Sequence, residues 1–250
     1  FIKQFFFLMK NIKNTDILFC WFADYHSFLP VVSARLFNKK SVIIVGGTDA
    51  VSVPEFKYGI FYKRNLRSIL VKYIYSNASF IFAVNKSLIQ GINYYADKKG
   101  LATGVKSFVK KIKGKIAEVP TGYDSDLWYF DSSETKERSI VTVASVKDMR
   151  TFNIKGLPMF IEVARILDSY KFIIIGLSNE MKDFINKQKP MNLVLMDYIE
   201  NDKLREVISK SKVYAQFSLT EGLPNALCEA MLCECIPVGS NVNGIPDGIG

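Results

Sequence analysis

The sequence has few cysteines and no long apolar run, and each scarcity excludes a class of protein. Four cysteines in 250 residues are too few for a disulfide scaffold, so we expect a reducing, cytoplasmic setting. No apolar run reaches the roughly 18 residues that argue for a membrane-spanning helix. The run at residues 5–9 is too short for a signal peptide, and no small-residue cleavage site follows it. A hydrophobic content of 49% excludes a disordered chain.

Acidic residues are scarce in only one half of the chain. The formal net charge is +9; residues 1–130 contain 19 basic and 8 acidic residues, and residues 131–250 contain 14 and 16. This asymmetry indicates two domains with different partners. The basic half has seven lysines and no acid within residues 98–115, and a basic, aromatic-rich segment at residues 57–73 that we predict to be helical. An anionic membrane surface is its favoured partner, and a solvated lysine-rich surface is the alternative. Nucleic acid is not expected, because no recognised reading module is present.

Short apolar runs alternate with helix-length segments along the whole sequence. The runs are apolar nearly throughout, which predicts strands covered on both faces. The segment at residues 155–167 has one apolar stripe at helical spacing, and Phe28, Val32 and Leu36 form another. The alternation predicts an α/β fold whose parallel strands are joined by crossover helices. The nine predicted strands span residues 16–21, 41–45, 79–84, 116–119, 140–145, 171–175, 192–196, 213–217 and 236–239.

A polar segment with many turn-forming residues divides the chain. It runs from Pro120 to Arg138, and the charge asymmetry changes at the same place. We predict an N-terminal Rossmann-like domain at residues 1–120, a hinge at 121–138 and a C-terminal Rossmann-like domain at 139–250. The parallel sheets would face each other across a cleft, with the ligand at the carboxyl ends of the strands. Because the chain begins at Phe1 and ends on Gly250 in a Gly-Ile-Gly sequence, we expect both domains to be truncated.

The segment at residues 220–231 has the clearest chemical signature. It follows a predicted strand, Gly222 allows a tight turn, and Pro224 suits the first turn of a helix. The unpaired N–H groups of such a helix start favour a phosphate. Glu221 precedes the helix and Glu229 lies within it, and two carboxylates beside a phosphate site suit the hydroxyls of a sugar. The alternative is an ordinary turn residue and a solvated helix residue.

The pair Glu221 and Glu229, with seven residues between them, resembles the Glu-x7-Glu motif of retaining glycosyltransferase family 4, the glycosyl transferases group 1, which have the GT-B fold. Other segments are similar to this family in the family's order along nearly the whole chain. They are Gly47–Asp49, Val119–Asp124, Ile154–Gly156, Phe172–Gly176, Ala230–Met231, Ile236–Val238 and Gly244–Asp247.

The resemblance implies roles for individual residues in the C-terminal half. Glu221 would hold hydroxyls of the donor sugar, and Glu229 those of the ribose. Lys155, together with Arg150, would stabilise the charge on the leaving diphosphate. Lys155 would lie at a helix start, where a cation is slightly unfavourable, and this favours a phosphate partner. The implied donor-binding set is Ser145, Gly222, Leu223, Pro224, Asn225, Ala226 and Glu229.

Three positions depart from the family's pattern. Ser145 stands where the family often has an Arg, and Arg150 in the following loop is the candidate replacement. Gly46 stands where the acceptor domain often has a His, and the only histidine is His26. Glu234 stands where a Gly is usual. The acceptor-side candidates are His26, Gly47 and Asp49.

The predicted function is that of a metal-independent, hexosyltransferase-type enzyme without a cofactor. It would move a sugar, with retention, from a UDP-, GDP- or ADP-sugar to a glycan or lipid-linked acceptor in cell-surface polysaccharide or glycolipid biosynthesis. The enzyme would be cytoplasmic and peripheral on the inner face of the membrane. The alternatives are a nucleotide-sugar epimerase of the same fold and a non-catalytic binding partner. The Asp-x-Asp sequence at residues 124–126 is interpreted as a turn in the hinge and not as a metal site.

Overall fold

A computed structural model describes residues 2–250 of the chain. It consists of two compact units, one extending to Thr121 and the other spanning Gly122–Gly250. All nine predicted strands are present, with ends within three residues of the predicted ones. In both units the main sheet is parallel, as the alternation of apolar runs and helices predicts. None of the helices in residues 2–250 combines the length and apolar character needed to cross a bilayer.

The N-terminal unit contains a four-stranded parallel sheet in the order β1-β2-β3-β6. A short antiparallel hairpin, β4 and β5, was not predicted, because strands of three residues are too short to give a periodic signal. The strands are β1 (Ile17–Trp21), β2 (Lys40–Val45), β3 (Phe80–Ala83), β4 (Gly91–Asn93), β5 (Leu101–Thr103) and β6 (Lys115–Glu118). The helices are α1 (Ile2–Asn11), α2 (Tyr25–Leu36), α3 (Leu66–Asn77) and α4 (Val105–Phe108).

The prediction that every strand is covered on both faces is wrong for β1. Ile17, Phe19 and Trp21 point to the same side of the strand, and Phe19 and Trp21 are 69% and 60% exposed. The reason is the position of β1 at the edge of the sheet, where Cys20 faces the core and the alternate side chains have no layer of described residues over them.

The apolar stripe predicted for α2 is also wrong. Leu36 is 75% exposed, and Phe28 and Val32 are only partly buried. The helix turns a different face toward the sheet, one made mostly of small side chains that allow a close approach. The buried positions are Ser27, Pro30, Val31, Ser33 and Ala34.

The C-terminal unit contains a five-stranded parallel sheet in the order β11-β10-β7-β8-β9. Strands β7, β8 and β10 alternate between two buried clusters, so this part of the sheet is covered on both faces as predicted. The prediction is wrong for the edge strand β11, where Ile236 and Val238 are 62% and 44% exposed. The strands are β7 (Glu137–Val146), β8 (Lys171–Leu177), β9 (Leu193–Met196), β10 (Ser211–Gln216) and β11 (Ile236–Gly239). The helices are α5 (Met149–Ile154), α6 (Leu157–Ile166), α7 (Asn179–Asn186), α8 (Asn201–Lys210), α9 (Asn225–Leu232) and α10 (Ile245–Ile249).

Two segments have a secondary structure different from the predicted one. Residues 147–153 were expected to form a loop, but most of them form helix α5, which Asp148 caps by accepting a hydrogen bond from the Thr151 N–H at 2.7 Å. Residues 57–73 were expected to form one basic helix, but α3 begins only at Leu66, after a short 3₁₀ turn at Ile60–Tyr62. Asn65 and Ser68 form a capping box that ends the irregular stretch there.

Within the segment assigned to a hinge, several side chains pack against the C-terminal unit. Trp128 is buried in one of that unit's two core clusters. Lys136 donates hydrogen bonds to the carbonyl oxygens of Ser209, Ser211 and Cys233, at 2.8, 3.1 and 2.7 Å. A cation beside carbonyls at helix ends is favourable, so Lys136 stabilises the ends of α8 and α9.

Helix α9 ends in a Schellman-type turn that accounts for the unusual Glu234. The Glu234 N–H bonds to the Met231 carbonyl and the Cys235 N–H to the Ala230 carbonyl, both at 2.9 Å. Glu234 has a φ of +59°, in the left-handed region that favours glycine. The backbone at position 234 is therefore left-handed, a conformation that suits the Gly that the family usually has at this position.

Candidate functional site

Two residues singled out for diphosphate and sugar binding, Lys155 and Glu221, lie in direct contact. Lys155 Nζ is 2.5 Å from Glu221 Oε1, and the side chains are 25% and 14% exposed. Glu221 follows the carboxyl end of β10, the strand next to the centre of the sheet. Partial burial makes such a pair stronger than an ion pair on the surface. The fold thus brings together two residues that are far apart in sequence.

A glycine makes this contact sterically feasible. Gly156 has a φ of +66°, and a Cβ built there would overlap with the carbonyl group of Phe217. The Leu219 N–H also donates a 2.8 Å hydrogen bond to the Ile154 carbonyl. These contacts hold the end of α5 against the loop that follows β10, and so bring Lys155 to Glu221.

The predicted helix start beside Lys155 is present, but Lys155 also ends another helix. Lys155 is the C-cap of α5, and a separate helix, α6, begins after Gly156. A cation is favourable at the C-terminus of α5 and unfavourable beside the N-terminus of α6, so the helix dipoles alone do not indicate a phosphate partner for Lys155. Arg150, expected in a loop, is in the first turn of α5, where it is exposed and lies 3.2 Å from Asp148 Oδ2. An exposed pair of this kind contributes little stability.

Sequence reasoning missed a buried polar network beneath Glu221. Ser218 Oγ donates to Glu221 Oε1 at 2.8 Å, and Gln216 Nε2 lies 3.2 Å from the same oxygen. Gln216 Nε2 also donates to Ser218 Oγ at 2.8 Å, and Gln216 Oε1 accepts from the Tyr214 hydroxyl at 3.0 Å. A buried glutamine needs partners for its amide, and Gln216 within the predicted apolar run at residues 213–217 was the signal for this network.

The helix start predicted to bind a phosphate is present as the N-terminus of α9. Pro224 is its N-cap and Asn225 its first residue, so the helix starts one residue later than the sequence suggested. The Tyr123 hydroxyl donates to Asn225 Oδ1 at 3.2 Å. Gly222 and Leu223 form the turn between Glu221 and this helix, and Ala226 is in its first turn.

Glu229 lies on α9 and is half-buried. Burial raises the pKa of its carboxyl group. Among the residues that the structure describes, no side chain or backbone group donates a hydrogen bond to this carboxylate or pairs with it. A half-buried carboxylate without a protein donor is suited to accepting hydrogen bonds from a ligand.

Ser145 is exposed near the carboxyl end of β7, where the strand has a bulge. The neighbouring Gly176, with a φ of +104°, packs so closely that a Cβ would lie 2.5 Å from the Ala144 carbonyl oxygen. The bulge turns Ser145 out of the sheet, as bulges near functional sites often do.

Two of the acceptor-side candidates, His26 and Asp49, line a cavity of about 270 Å³ in the N-terminal unit, and the third, Gly47, is adjacent in sequence to two lining residues, Gly46 and Thr48. His26 is exposed in the first turn of α2, and its Nε2 is 3.0 Å from the Trp21 carbonyl oxygen, which can only accept. Arg67 forms two hydrogen bonds with Asp24, at 2.6 and 2.9 Å, and these lower the pKa of Asp24. The cavity is thus lined by a fixed ion pair and a histidine.

Asp49 has a structural part in the N-terminal unit. It is buried, and this burial raises its pKa. Its Oδ2 accepts from the Ala23 N–H at 3.1 Å and from the Tyr75 hydroxyl at 2.7 Å. Its Oδ1 accepts from the N–H groups of Gly46 and Gly47, at 3.3 and 3.1 Å. The carboxylate therefore holds the loop that follows β2.

Gly46, which stands in the place of the family's histidine, faces an aromatic ring. A Cβ at Gly46 would overlap with the Phe22 ring, and Phe22 itself has a φ of +69°. Gly47, with a φ of +148°, also has a conformation that side chains rarely allow. The Phe22 ring fills the space beside the loop, so a larger residue at position 46 would require this ring to move.

The two Asp residues of the Asp-x-Asp sequence form a turn. Asp124 Oδ1 accepts a 2.9 Å hydrogen bond from the Asp126 N–H. Within residues 2–250, no group of three or more His, Cys, Asp or Glu side chains is arranged to hold a metal ion.

Comparisons with known proteins agree with the observed fold. Residues 137–250 match the family model described as glycosyl transferases group 1. Among solved structures, sucrose-phosphate synthase from Thermosynechococcus elongatus matches with a TM-score of 0.70 and 15% identity, over 96% of this chain and 59% of that one. Anabaena HepE in complex with UDP matches with a TM-score of 0.72 and 11% identity, over 97% and 64%. TarM matches with a TM-score of 0.67 and 15% identity, over 96% and 44%. No curated protein sequence matches the chain.

The fold defines the class: two Rossmann-like units with parallel sheets, the GT-B fold, as predicted. Residues 137–250, which lie in the C-terminal unit, match the family model of the glycosyl transferases group 1, and the resemblance drawn from the motifs agrees with this match. The chain spans 59% and 64% of the length of sucrose-phosphate synthase and HepE.

Proposed function

We propose that this chain is the transferring part of a retaining glycosyltransferase that uses a nucleotide-sugar donor. The observation that carries the proposal is the contact between Lys155 and Glu221 at the carboxyl end of a parallel sheet, close in sequence to the start of α9. The family match of residues 137–250 supports it. HepE, a solved structure of the same fold, has been obtained with UDP and with UDP-glucose.

The side chains suggest how the donor is held. The Lys155 ammonium and the unpaired N–H groups at the start of α9 would bind the diphosphate, with Arg150 as a second cation. Glu221 would accept hydrogen bonds from the donor sugar, and Glu229 from the ribose. These residues, with Ser145 and the turn at Gly222 and Leu223, form the donor site that we propose.

The reaction breaks the bond between the sugar's anomeric carbon and the diphosphate oxygen. Negative charge grows on the leaving diphosphate, and a positioned cation lowers the energy of that transition state. Lys155 would supply this cation, so the scheme requires neither a divalent metal nor a cofactor. The acceptor hydroxyl would attack the anomeric carbon on the face from which the diphosphate leaves and would pass its proton to the departing diphosphate oxygen, so the anomeric configuration would be retained. The sugar transferred would be a hexose, as in the family that the chain resembles.

On the acceptor side we propose a glycan or a lipid-linked glycan, in cell-surface polysaccharide or glycolipid biosynthesis. The cavity beside His26, Gly47 and Asp49 is the candidate acceptor region. Of these three residues only His26 is available to a ligand, because Asp49 is saturated by internal donors and Gly47 is one of them.

We also propose a peripheral position on the anionic inner face of the membrane. Leu66 and Ile69 lie one turn apart on α3 and are exposed, and Lys63, Arg64 and Lys72 surround them. An apolar pair within a basic surface suits the boundary of an anionic bilayer. Flotation with anionic and neutral liposomes tests this; Leu66→Ser with Ile69→Ser should reduce binding to anionic liposomes. Equal, negligible binding to both kinds of liposome would contradict the proposed membrane association.

The transfer itself is tested by incubating the chain with UDP-, GDP- and ADP-sugars and a membrane extract, and by following the anomeric configuration of the product. Glu221→Gln should reduce transfer at least about a hundredfold, because the carboxylate that holds the sugar is lost. Exposed Glu206→Gln is the matched control. Conversion of the sugar-nucleotide without an acceptor would indicate an epimerase. Undiminished transfer by Glu221→Gln would contradict the assignment of Glu221 to the donor site.

A further inference from the structure

We infer that Gln216 and Ser218 are positioning residues, which fix one carboxylate oxygen of Glu221 and leave the other available to the donor sugar. The inference rests on the proposed function, since it gives Glu221 a sugar to hold. It concerns residues to which neither the family motif nor the spacing of the sequence assigns a role.

Three donors converge on one oxygen of Glu221. Oε1 accepts from Lys155 Nζ at 2.5 Å, from Ser218 Oγ at 2.8 Å and from Gln216 Nε2 at 3.2 Å. In the part of the chain that the structure describes, no donor reaches Oε2. A carboxylate has about four acceptor positions, so Oε2 keeps its full capacity for the hydroxyls of a sugar.

The orientation of the Gln216 amide is determined by Tyr214. The Tyr214 hydroxyl donates to Gln216 Oε1 at 3.0 Å, which requires the amide nitrogen to point toward Ser218 and Glu221. Burial raises the pKa of Tyr214 well above its usual value, so its hydroxyl keeps its proton and remains a donor. Tyr214 thus orients Gln216, and Gln216 orients Glu221.

The hydrogen-bond network lies in the interior of the C-terminal unit. Gln216 is 3% exposed, and Tyr214 and Ser218 are fully buried. A buried amide is costly unless its oxygen and nitrogen are both hydrogen bonded, and Gln216 uses both. An apolar residue would cost less at this position in a strand between two others. The amide therefore has a task that an apolar side chain cannot perform, which is to hold Glu221.

The test separates positioning from stability with two variants. Gln216→Met keeps the volume but removes the amide, which leaves the Tyr214 hydroxyl without its partner. The double variant, Tyr214→Phe with Gln216→Met, also removes the hydroxyl that has lost its acceptor, and should regain most of the lost thermal stability. Both variants should transfer sugar at least about tenfold more slowly than the unmodified chain, because Glu221 is no longer held.

Affinities provide a second readout that a merely structural role would not change. Calorimetric binding of UDP alone, which lacks the sugar, should change less than about twofold in both variants. Binding of UDP-glucose relative to UDP should weaken. Gln188→Met, the same replacement at an exposed position, is the control and should change neither the affinity for UDP nor the affinity for UDP-glucose. GDP and ADP with their glucose derivatives are measured in parallel, and the nucleotide that binds is used.

Each outcome decides between the two proposals. If the double variant regains both stability and full transfer, the network is structural and the positioning role is overturned. If Gln216→Met alone transfers and binds UDP-glucose like the unmodified chain, the role is overturned while the proposed function stands. If the unmodified chain binds none of the nucleotides, the proposed function fails, and this inference fails with it.

Discussion

The two units use carboxylates in opposite ways after their parallel strands. Asp49, after β2 in the N-terminal unit, accepts four hydrogen bonds that occupy both of its oxygens. Glu221, after β10 in the C-terminal unit, accepts three hydrogen bonds on a single oxygen. Both residues follow strands of a similar type, and both stand in motifs that resemble the same family. The arrangement of their donors differs, and Glu221 is in addition paired with a cation, Lys155.

This difference indicates which carboxylate can serve a ligand. A carboxylate whose oxygens are both saturated by internal donors stabilises its own loop, and a ligand would have to break those bonds. A carboxylate held by one oxygen is oriented and still has an acceptor to offer. We therefore assign Asp49 to the structure of the N-terminal unit and propose Glu221 for the donor.

The largest effect should come from removing the saturated carboxylate. Asp49→Asn turns an amide N–H₂ toward backbone N–H groups, and should destabilise the N-terminal unit by about 3 kcal/mol. Glu221→Gln should cost much less stability, because its amide oxygen still accepts hydrogen bonds. Hydrogen exchange of amides before and after Thr121 measures the two effects separately. Equal destabilisation by both changes would break the comparison.

Next in size is the glycine that brings Lys155 to Glu221. Gly156→Ala should destabilise the C-terminal unit by about 2 kcal/mol, because a Cβ would overlap with the Phe217 carbonyl in a left-handed conformation. The matched control is Gly122→Ala, since a Cβ there has no neighbour within 4 Å. Urea denaturation compares them, and a harmless Gly156→Ala would contradict the packing described for this loop.

A smaller effect with a defined pH dependence concerns Glu229. Burial raises its pKa in the folded state, so its contribution to stability is present below the unfolded pKa and lost as the pH rises through the folded value. Glu229→Gln should therefore increase stability slightly at about pH 7, with a smaller gain at about pH 4. It should also weaken nucleotide binding if the carboxylate holds the ribose. Urea denaturation at both pH values and UDP calorimetry measure this, with exposed Glu206→Gln as control.

The smallest effect is expected at the end of α9. Glu234→Gly should stabilise the C-terminal unit by roughly 1 kcal/mol, because glycine adopts the left-handed conformation without strain. Glu234→Ala keeps the strain while removing the carboxylate, so it separates backbone conformation from charge. A thermal shift with both variants measures the difference, and a gain from alanine as large as that from glycine would point to charge instead.

Much of the fold was predictable because its signals are local. Apolar runs such as Lys171–Ile175 indicate buried strands without knowledge of their neighbours, and all nine predicted strands are present. The side of an element that faces the core was less predictable: α2 buries Val31 and Ala34 but exposes Leu36. That choice depends on which element packs against the helix, and the helix sequence alone does not contain this information.

The site was predictable in its membership but not in its connections. Spacing and resemblance singled out Glu221, Glu229 and Lys155, but they placed Lys155 only at a helix start and missed that it also ends α5. They gave no role to Gln216 or Ser218. These errors have a common cause, because the neighbours of a side chain belong to segments that are distant in sequence.

The sequence by itself determined the α/β alternation, the nine strands, the basic and the neutral half, and the motif that indicates the glycosyl transferases group 1. These depend on residue type and spacing, which folding does not change. The tertiary structure alone decided that Asp49 is saturated and that Glu221 keeps an oxygen available. Hydrogen bonds have short range and strict direction, so only the folded chain establishes which donors reach which oxygen.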